Sequence, residues 1–369
     1  MLIKKILFRL YVSLLKKKWG MTASGANICG GVFVQDYLNH MNQVFTVYSI
    51  HQKGFSWDDW HVGALTNDTC SEYLKSTEYC AMHPLNGSFS HWIDDKLTLK
   101  YLCVGTVLDQ YMPKYYFQVT EEGKVLPLSD APRGLKNEVN VSAVSLLLKQ
   151  IGELAIKRVA GSLGEGFYKA EYKDGVYFLN GKEYTQEALE EEFASLKNYL
   201  ITEYLHPHPS LAVFCPDTVN CLRYLVGRDE NGEMKLIKSY IRFGTKASGF
   251  VENYGAGGVL CFISEDGHFE EGNLLDMKEG KNRVLEEHPD TQVELVGEVP
   301  YWAEIQKAAD LFGETLPQMS YLGIDFVVTD KNEVKVLEIN SLTSLDTIQM
   351  KGSILKEAQG EFFRRRMKR

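Results

Sequence analysis

No CxxC pair occurs in the 369 residues, and the seven cysteines (Cys29, Cys70, Cys80, Cys103, Cys215, Cys221, Cys261) are odd in number and widely scattered. That pattern argues against a zinc site or a disulfide framework and for a reducing cytosol. A Walker A G-x-x-x-x-G-K-[ST] is missing, as is a dinucleotide fingerprint opening a helix. No apolar run approaches the roughly 20 residues that span a bilayer. No small-residue cleavage site follows an apolar h-region, so a signal peptide is not expected. The net charge is −9, so the molecule as a whole is not expected to bind nucleic acid nonspecifically. Repeats and low-complexity segments are also absent. What remains is 44% hydrophobic and 12% aromatic, enough to build two or three subdomains around sizeable cores.

Charge is unevenly spread. The opening MLIKKILFRLYVSLLKKKWG carries six basic residues and no acidic one, and the closing FFRRRMKR adds five more. Leu2, Ile3, Ile6, Leu7, Leu10, Leu14 and Leu15 recur at helical spacing on one broad face. Residues 1–19 therefore read as a basic amphipathic helix. Residues 2–18 either lie on an anionic membrane surface or pack on the body with their lysines in water. The expected location is cytoplasmic, and the first alternative would put the protein on the inner face of the cell membrane.

Residues 20–93 read as a short, mostly helical N-terminal region. From Asp94 the pattern sharpens, and DDKLTLKYLCVGTVLDQ suggests a helix, PKYYFQVT a strand, and VSAVSLLLKQIG a second helix. The strand LAIKRVA leads through GSLGEGF to the hairpin FYKAEYKDGVYFLNG, turning at Lys173-Asp174-Gly175. A helix is expected over 184–198, then the short strand YLITEYL. Beyond Val219 strands dominate, with one more helix at 301–312. Mixed rather than alternating elements predict an α+β fold with largely antiparallel sheets.

Two features carry chemistry. In YLGIDFVVTDKNEVKVLEIN two strand-like runs flank a polar turn, yet Asp325, Glu338 and Asn340 stand where a buried hairpin should hold Val or Ile. Glu338 and Asn340, two apart, share a face, and Asp325 on the partner strand can reach it. Two carboxylates and an amide oxygen form a hard-oxygen set suited to Mg²⁺. The bland alternative is that both carboxylates merely pair with Lys or Arg. The second feature is Lys157, which lies inside an apolar strand followed by glycines at 161, 164 and 166. A lysine so placed needs an anion, and glycine backbone can turn its N–H groups toward phosphates. A glycine loop between strands also makes an ordinary hairpin.

The order of these parts resembles the ATP-grasp superfamily over about residues 94–345. More narrowly, EYLHPHPSLAVFCPDTVNCLRYLV, RFGTKASGFVENYGAGGV, HPDTQ, VPYWAEI and the closing hairpin resemble the sugar-transfer-associated ATP-grasp family found with bacterial surface-polysaccharide genes. The resemblance implies two α+β subdomains gripping ATP. A linker helix and lid would occupy 94–205, and a large subdomain with the metal site and basic tail would occupy 206–369. It implies that Lys96 contacts the α-phosphate and Lys157 the α- and β-phosphates, with Gly161, Ser162, Gly164 and Gly166 closing over them. Ile201, Thr202, Glu203 and Leu205 would form the adenine hinge, with Asp217 near the ribose and Asn253 in a phosphate-side loop. Arg223 and Arg242 would serve the γ-phosphate, while Asp325, Glu338 and Asn340 hold two Mg²⁺ ions.

The sequence departs from the pattern twice. Many ATP-grasp ligases carry arginine two residues before the first metal aspartate, where this chain has Gly323. They often follow the metal asparagine with Pro-Gly, where Ser341-Leu342-Thr343-Ser344 stands here. The activity implied is an ADP-forming carboxylate–amine ligase working through an acylphosphate. Its expected partners are a carboxylated sugar and an amino acid or similar amine. The alternatives are a peptide ligase, a kinase, or a catalytically silent nucleotide-binding scaffold.

Overall fold

The computed structural model describes residues 53–56, 65, 68–137, 139–159, 166–276 and 281–367. The expected helix of residues 1–19 and three loop positions, Gly161, Ser162 and Gly164, lie outside them. Two antiparallel sheets organise the rest. The first is built from β1 (Tyr115–Val119), β2 (Val125–Pro127), β3 (Glu153–Arg158), β4 (Tyr168–Lys173), β5 (Val176–Leu179), β6 (Lys182–Tyr184) and β7 (Tyr199–Glu203). Its order is β2-β1-β7-β3-β4-β5-β6. The second comprises β8 (Leu222–Arg228), β9 (Met234–Phe243), β10 (Val259–Ile263), β11 (His268–Asp276), β12 (Lys281–Leu285), β13 (Val296–Glu298), β14 (Tyr321–Val328) and β15 (Val334–Asn340). Its order is β12-β11-β10-β9-β8-β14-β15, with β13 on the side of β11.

The principal helices are α1 (Ser76–Met82), α2 (Ser90–Asp94), α3 (Lys96–Cys103), α4 (Ser142–Ile151), α5 (Gln186–Ser195), α6 (Trp302–Thr315) and α7 (Glu361–Met367). Local chemistry sets several ends. Asp95 caps α3 by accepting from the Thr98 N–H, and Thr185 caps α5 through the Ala188 N–H. Gly152, at φ +87°, closes α4. The β4–β5 hairpin turns at Asp174 and Gly175, both at positive φ, as a tight two-residue turn requires. The helix expected to run on from Asp94 is shorter. It stops at Cys103, where Gly105 at φ +75° starts an irregular turn.

One face of each sheet is committed to a core. Helices α4 and α5 cover the first sheet through Val144, Leu147, Leu148, Leu189 and Phe193, against Leu154, Ile156 and Ile201. Helices α6 and α3 cover the second, with Ile305, Phe312 and Leu99 against Leu322, Ile324 and Phe326. Burying each such side chain contributes about 1.5–3 kcal/mol. On the second sheet's other face, α1 and α7 pack Tyr79, Phe362 and Phe363 on Tyr321, and smaller clusters form around Tyr240, Leu260 and Met350 and around Leu205, Cys221 and Val327. A Cβ on Gly227 would lie 2.4 Å from the Phe362 ring, so glycine there lets α7 press onto β8. Between these clusters the face around Arg242, Asp325 and Glu338 lines a cleft. Five cysteines (70, 103, 215, 221, 261) are buried free thiols, but Cys80 is disulfide-bonded, so the expectation of a fully reduced chain fails at that residue.

Candidate functional site

Strand parity explains the polar residues of the closing hairpin. Leu322, Ile324 and Phe326 point into the core, so Tyr321, Gly323 and Asp325 point to the opposite face. Asp325 pairs in register with Glu338 on one side and Arg223 on the other. In β3 the same alternation buries Leu154 and Ile156 and turns Ala155 and Lys157 the other way. These two non-core faces enclose a cleft of about 1100 Å³, counting the space open to solvent. From the first sheet it is lined by Ala155, Lys157, Thr202 and Glu203, and from the second by Arg242, Asp325, Leu337 and Glu338. Lys96 at the start of α3, Leu205 and Asp217 from the link, and Asn253 from the β9–β10 segment complete the wall.

Ten of the expected site residues thus line one cleft: Lys96, Lys157, Thr202, Glu203, Leu205, Asp217, Arg242, Asn253, Asp325 and Glu338. Four others stand back from it. Ile201 is fully buried, its strand paired on both sides by β1 and β3, so the cleft meets the chain only from Thr202 on. Gly166, at φ +73°, abuts Tyr199 and Arg158, which a Cβ would strike at 2.5 and 2.9 Å. Arg223 lies behind Asp325. Asn340, half-buried at the end of β15, has its amide nitrogen 3.4 Å from Glu338 Oε1.

The ion pairs are ordered. Arg223 grips Asp325 with a two-pronged contact, Nε to Oδ1 and one terminal nitrogen to Oδ2 at 3.0 Å. Arg242 donates to the same Oδ2 at 3.0 Å. Burial would raise the Asp325 pKa, but the two guanidinium groups outweigh it and hold the carboxyl below its usual range. Lys96 Nζ meets Glu338 Oε2 at 2.9 Å. Glu203 turns partly away, taking Lys331 Nζ and the Lys114 N–H. Lys157 forms no salt bridge among the described residues; its ammonium stands 5.2 Å over the Tyr115 ring. Burial, and then the nearby Lys96 charge, lower its pKa from 10.5 to about 8.

Both sequence readings of the carboxylates therefore have a counterpart: they are paired with Arg and Lys, and they face a cleft. The donor set fits Mg²⁺ in chemical type. Among the described residues no group of three or more His, Cys, Asp or Glu could hold a metal, so the set depends on the Asn340 amide. Two carboxylates and one amide are a partial shell of the kind Mg²⁺ completes with water and phosphate oxygens. Glu338 has only one cation on it, whereas both Asp325 oxygens are already engaged by arginines.

Sequence reasoning passed over Glu252, Cys221 and Tyr115. Glu252 lines the cleft 3.8 Å from Arg242, and its pKa is raised by burial against the pull of Arg242. Its place directly before Asn253 was the signal available. Cys221 is fully buried in the cleft wall. The Tyr115 hydroxyl, buried under Lys157, has no hydrogen-bond partner among the described residues.

No curated protein matches this chain. Among solved structures it is similar to ATP-grasp ligase PsnB complexed with minimal precursor, at 11% identity and TM-score 0.41, covering 77% of this chain and 63% of that one. It is also similar to D-alanyl-alanine synthetase A from Vibrio cholerae O1 biovar eltor str. N16961, at 14% identity and TM-score 0.42, with 79% and 70% covered. VanG D-Ala:D-Ser ligase from Enterococcus faecalis gives 13%, 0.38, and 73% and 61%. The chain spans less than two thirds of the first and third of these. All three scores are low, and family assignment rests instead on the sequence profile described as sugar-transfer associated ATP-grasp, which matches residues 79–360. The chain belongs to the sugar-transfer-associated ATP-grasp family.

Proposed function

We propose that the protein is an ATP-dependent carboxylate–amine ligase that forms an acylphosphate and ADP and then an amide. The observation that carries this reading is the convergence of Lys96, Lys157 and Arg242 with Asp325 and Glu338 in one cleft between two sheets. Lys96 and Lys157 would hold the nucleotide phosphates, with Gly161, Ser162, Gly164 and Gly166 above them. The end of β7 and the link to Leu205 would hold the base through Thr202, Glu203 and Leu205, with Ile201 supporting it from the sheet, and Asp217 and Asn253 would flank the nucleotide. Glu338, Asn340 and Asp325 would hold Mg²⁺, two ions in the full reading, which neutralises phosphate charge when bound. Arg242 would stabilise the transferring phosphoryl group, and Arg223 would keep Asp325 ionised and oriented.

Catalysis then consists of positioning and charge neutralisation, and no side-chain nucleophile is required. The substrate carboxylate attacks the γ-phosphate; the amine displaces phosphate from the acylphosphate. The acid is a uronic or otherwise carboxylated sugar of a surface glycan or its precursor, and the amine an amino acid or relative. A phosphate-release screen of uronic acids crossed with amino acids, with Mg²⁺ and ATP, tests this. Release that needs both partners supports a ligase. Transfer to an acceptor without any amine indicates a kinase, and an absence of nucleotide binding refutes the reading.

A further inference from the structure

The carboxylates of the cleft differ in whether their oxygens are occupied. Arg223 and Arg242 engage both oxygens of Asp325. Lys96 holds Glu338, and Lys331 with the Lys114 N–H holds Glu203. Asp217 is exposed at the rim. Glu252 is different: its side chain is only 14% exposed, and its nearest cation, Arg242, stands at 3.8 Å, beyond hydrogen-bond distance and already committed to Asp325. Apart from its own backbone N–H, Glu252 takes no hydrogen bond among the described residues. A carboxylate withdrawn from water with only one long, shared ion pair is costly, and such groups call for an explanation.

The backbone around Glu252 is fixed. Gly258 N–H donates to the Asn253 carbonyl, Gly255 N–H to Asn253 Oδ1, and Thr245 Oγ1 to the Gly257 carbonyl. A Cβ on Gly258 would fall 2.2 Å from the Glu252 carbonyl oxygen, so the close approach that sets Glu252 in the wall requires glycine. Phe250, two residues earlier, leaves 41% of its surface exposed on the same wall. The segment thus offers, among the described residues, a carboxylate inside the cleft that no side chain hydrogen-bonds, beside an exposed phenyl ring.

We infer that Glu252 is the docking point for the ammonium group of the acceptor amine, with Phe250 against its carbon skeleton. This rests on the ligase reading above. An aliphatic amine is cationic at neutral pH, with a pKa like that of lysine at about 10.4. Lys96 and Lys157 disfavour it at the phosphate end, and Asp325, Glu338 and Glu203 already hold cations. Glu252 gives it a counter-charge within the same cleft as the phosphate-facing lysines. A charge-assisted hydrogen bond of this kind is among the stronger single contacts a site can make.

The experiment uses full-length wild-type protein and the variants Glu252→Gln and Glu252→Asp, all checked by melting temperature. ATP–Mg²⁺ binding is titrated first. ADP formation is then followed with a uronic-acid panel and three amines: glycine, L-alanine and ethanolamine. In parallel, hydroxylamine, uncharged at neutral pH, traps the acylphosphate as a hydroxamate. Glu252→Gln should raise KM for the cationic amines by about tenfold or more, the loss of one charged hydrogen bond. Nucleotide affinity and hydroxamate formation should stay near wild type, and Glu252→Asp should recover part of the loss. An unchanged amine KM, or an equal loss with hydroxylamine and with cationic amines, overturns the inference. It is also overturned if the wild type forms hydroxamate but uses no cationic amine. Failure of the wild type to bind ATP–Mg²⁺ or to form hydroxamate removes the ligase reading itself, and this inference with it.

Discussion

Asp325 and Glu338 face each other across the same hairpin and are proposed to share one job, yet removing their charges should have different structural consequences. Asp325 is 2% exposed and is the principal counter-charge of two buried guanidinium groups. Asp325→Asn leaves Arg223 and Arg242 facing a neutral amide, and breaking a buried pair from one side costs about 3–5 kcal/mol. Glu252 at 3.8 Å from Arg242 softens this, which favours the lower end. With an unfolding entropy of about 2.1 cal/mol/K per residue, that is a fall in Tm of ~4–6 °C for cooperative unfolding of the whole chain. The Glu338–Lys96 pair is partly solvated, with the Glu338 side chain 29% exposed. Its loss should cost no more than about 1 kcal/mol, or ~1 °C. Both variants should nevertheless lose Mg²⁺-dependent ADP formation. Scanning calorimetry and a coupled ADP assay on the same samples decide the matter. The Asp325 carboxyl is held below its usual pKa, so its stabilisation is present at neutral pH and lost as pH falls through that depressed value. Asp325→Asn should therefore also flatten the acid limb of the stability profile. Equal melting of Asp325→Asn and wild type, or a lower Tm for Glu338→Gln than for Asp325→Asn, would refute the reasoning, and wild-type turnover in Glu338→Gln would remove the metal assignment.

Lys157→Ala should weaken ATP binding by roughly 10- to 100-fold, from the loss of a hydrogen bond to a charged group worth about 1.5–3 kcal/mol; calorimetric titration showing unchanged affinity would make the lysine structural. Because Lys157 has a folded pKa of about 8, below its ordinary 10.5, the unfolded chain binds more protons between those values. Stability from this group should therefore rise with pH across that window, and Lys157→Met should remove the rise in urea melts. Gly323→Ala should destabilise by about 1–3 kcal/mol through overpacking, because its Cβ would lie 2.5 Å from Thr343 Cγ2. Adding Thr343→Ser, which deletes that methyl, should recover part of the loss in the same melts. If residues 2–18 lie on a membrane, the intact chain should sediment with anionic liposomes in low salt and be released by high salt, while deletion of 1–19 should remove binding. A deletion that instead lowers Tm, with no liposome binding by the intact chain, would favour a packed helix.

What the sequence exposed was face, and what it concealed was strand order. The hairpin pattern alone placed Asp325, Glu338 and Asn340 together, because side-chain parity within a hairpin is local. The same parity puts Arg242 on the face of Tyr240, which is the register partner of Arg223, itself the partner of Asp325. Each link is simple, but the chain of links requires β9-β8-β14-β15 as the order of strands. Nothing in the spacing of residues 223, 242 and 325 states that order; it enters only through long-range pairing. Hence the arginines could be assigned to a phosphate by resemblance, or to a strand carboxylate as the plain alternative, while the convergence of both on Asp325 could not be read.

The same limit accounts for Gly323. As a departure in the sequence it looked like a missing cation. In the fold its absent Cβ would sit 2.5 Å from Thr343 Cγ2 and 3.2 Å from the Asn340 carbonyl oxygen, so the place where a side chain would stand is taken by β15 and the segment after it, while Arg223 Cδ at 3.5 Å would make ordinary contact. The cations at this end of the hairpin come from the neighbouring strands β8 and β9, as Arg223 and Arg242 on Asp325. The glycine is therefore fitted to Thr343, and the paired substitution that tests it is at 343 rather than at 223.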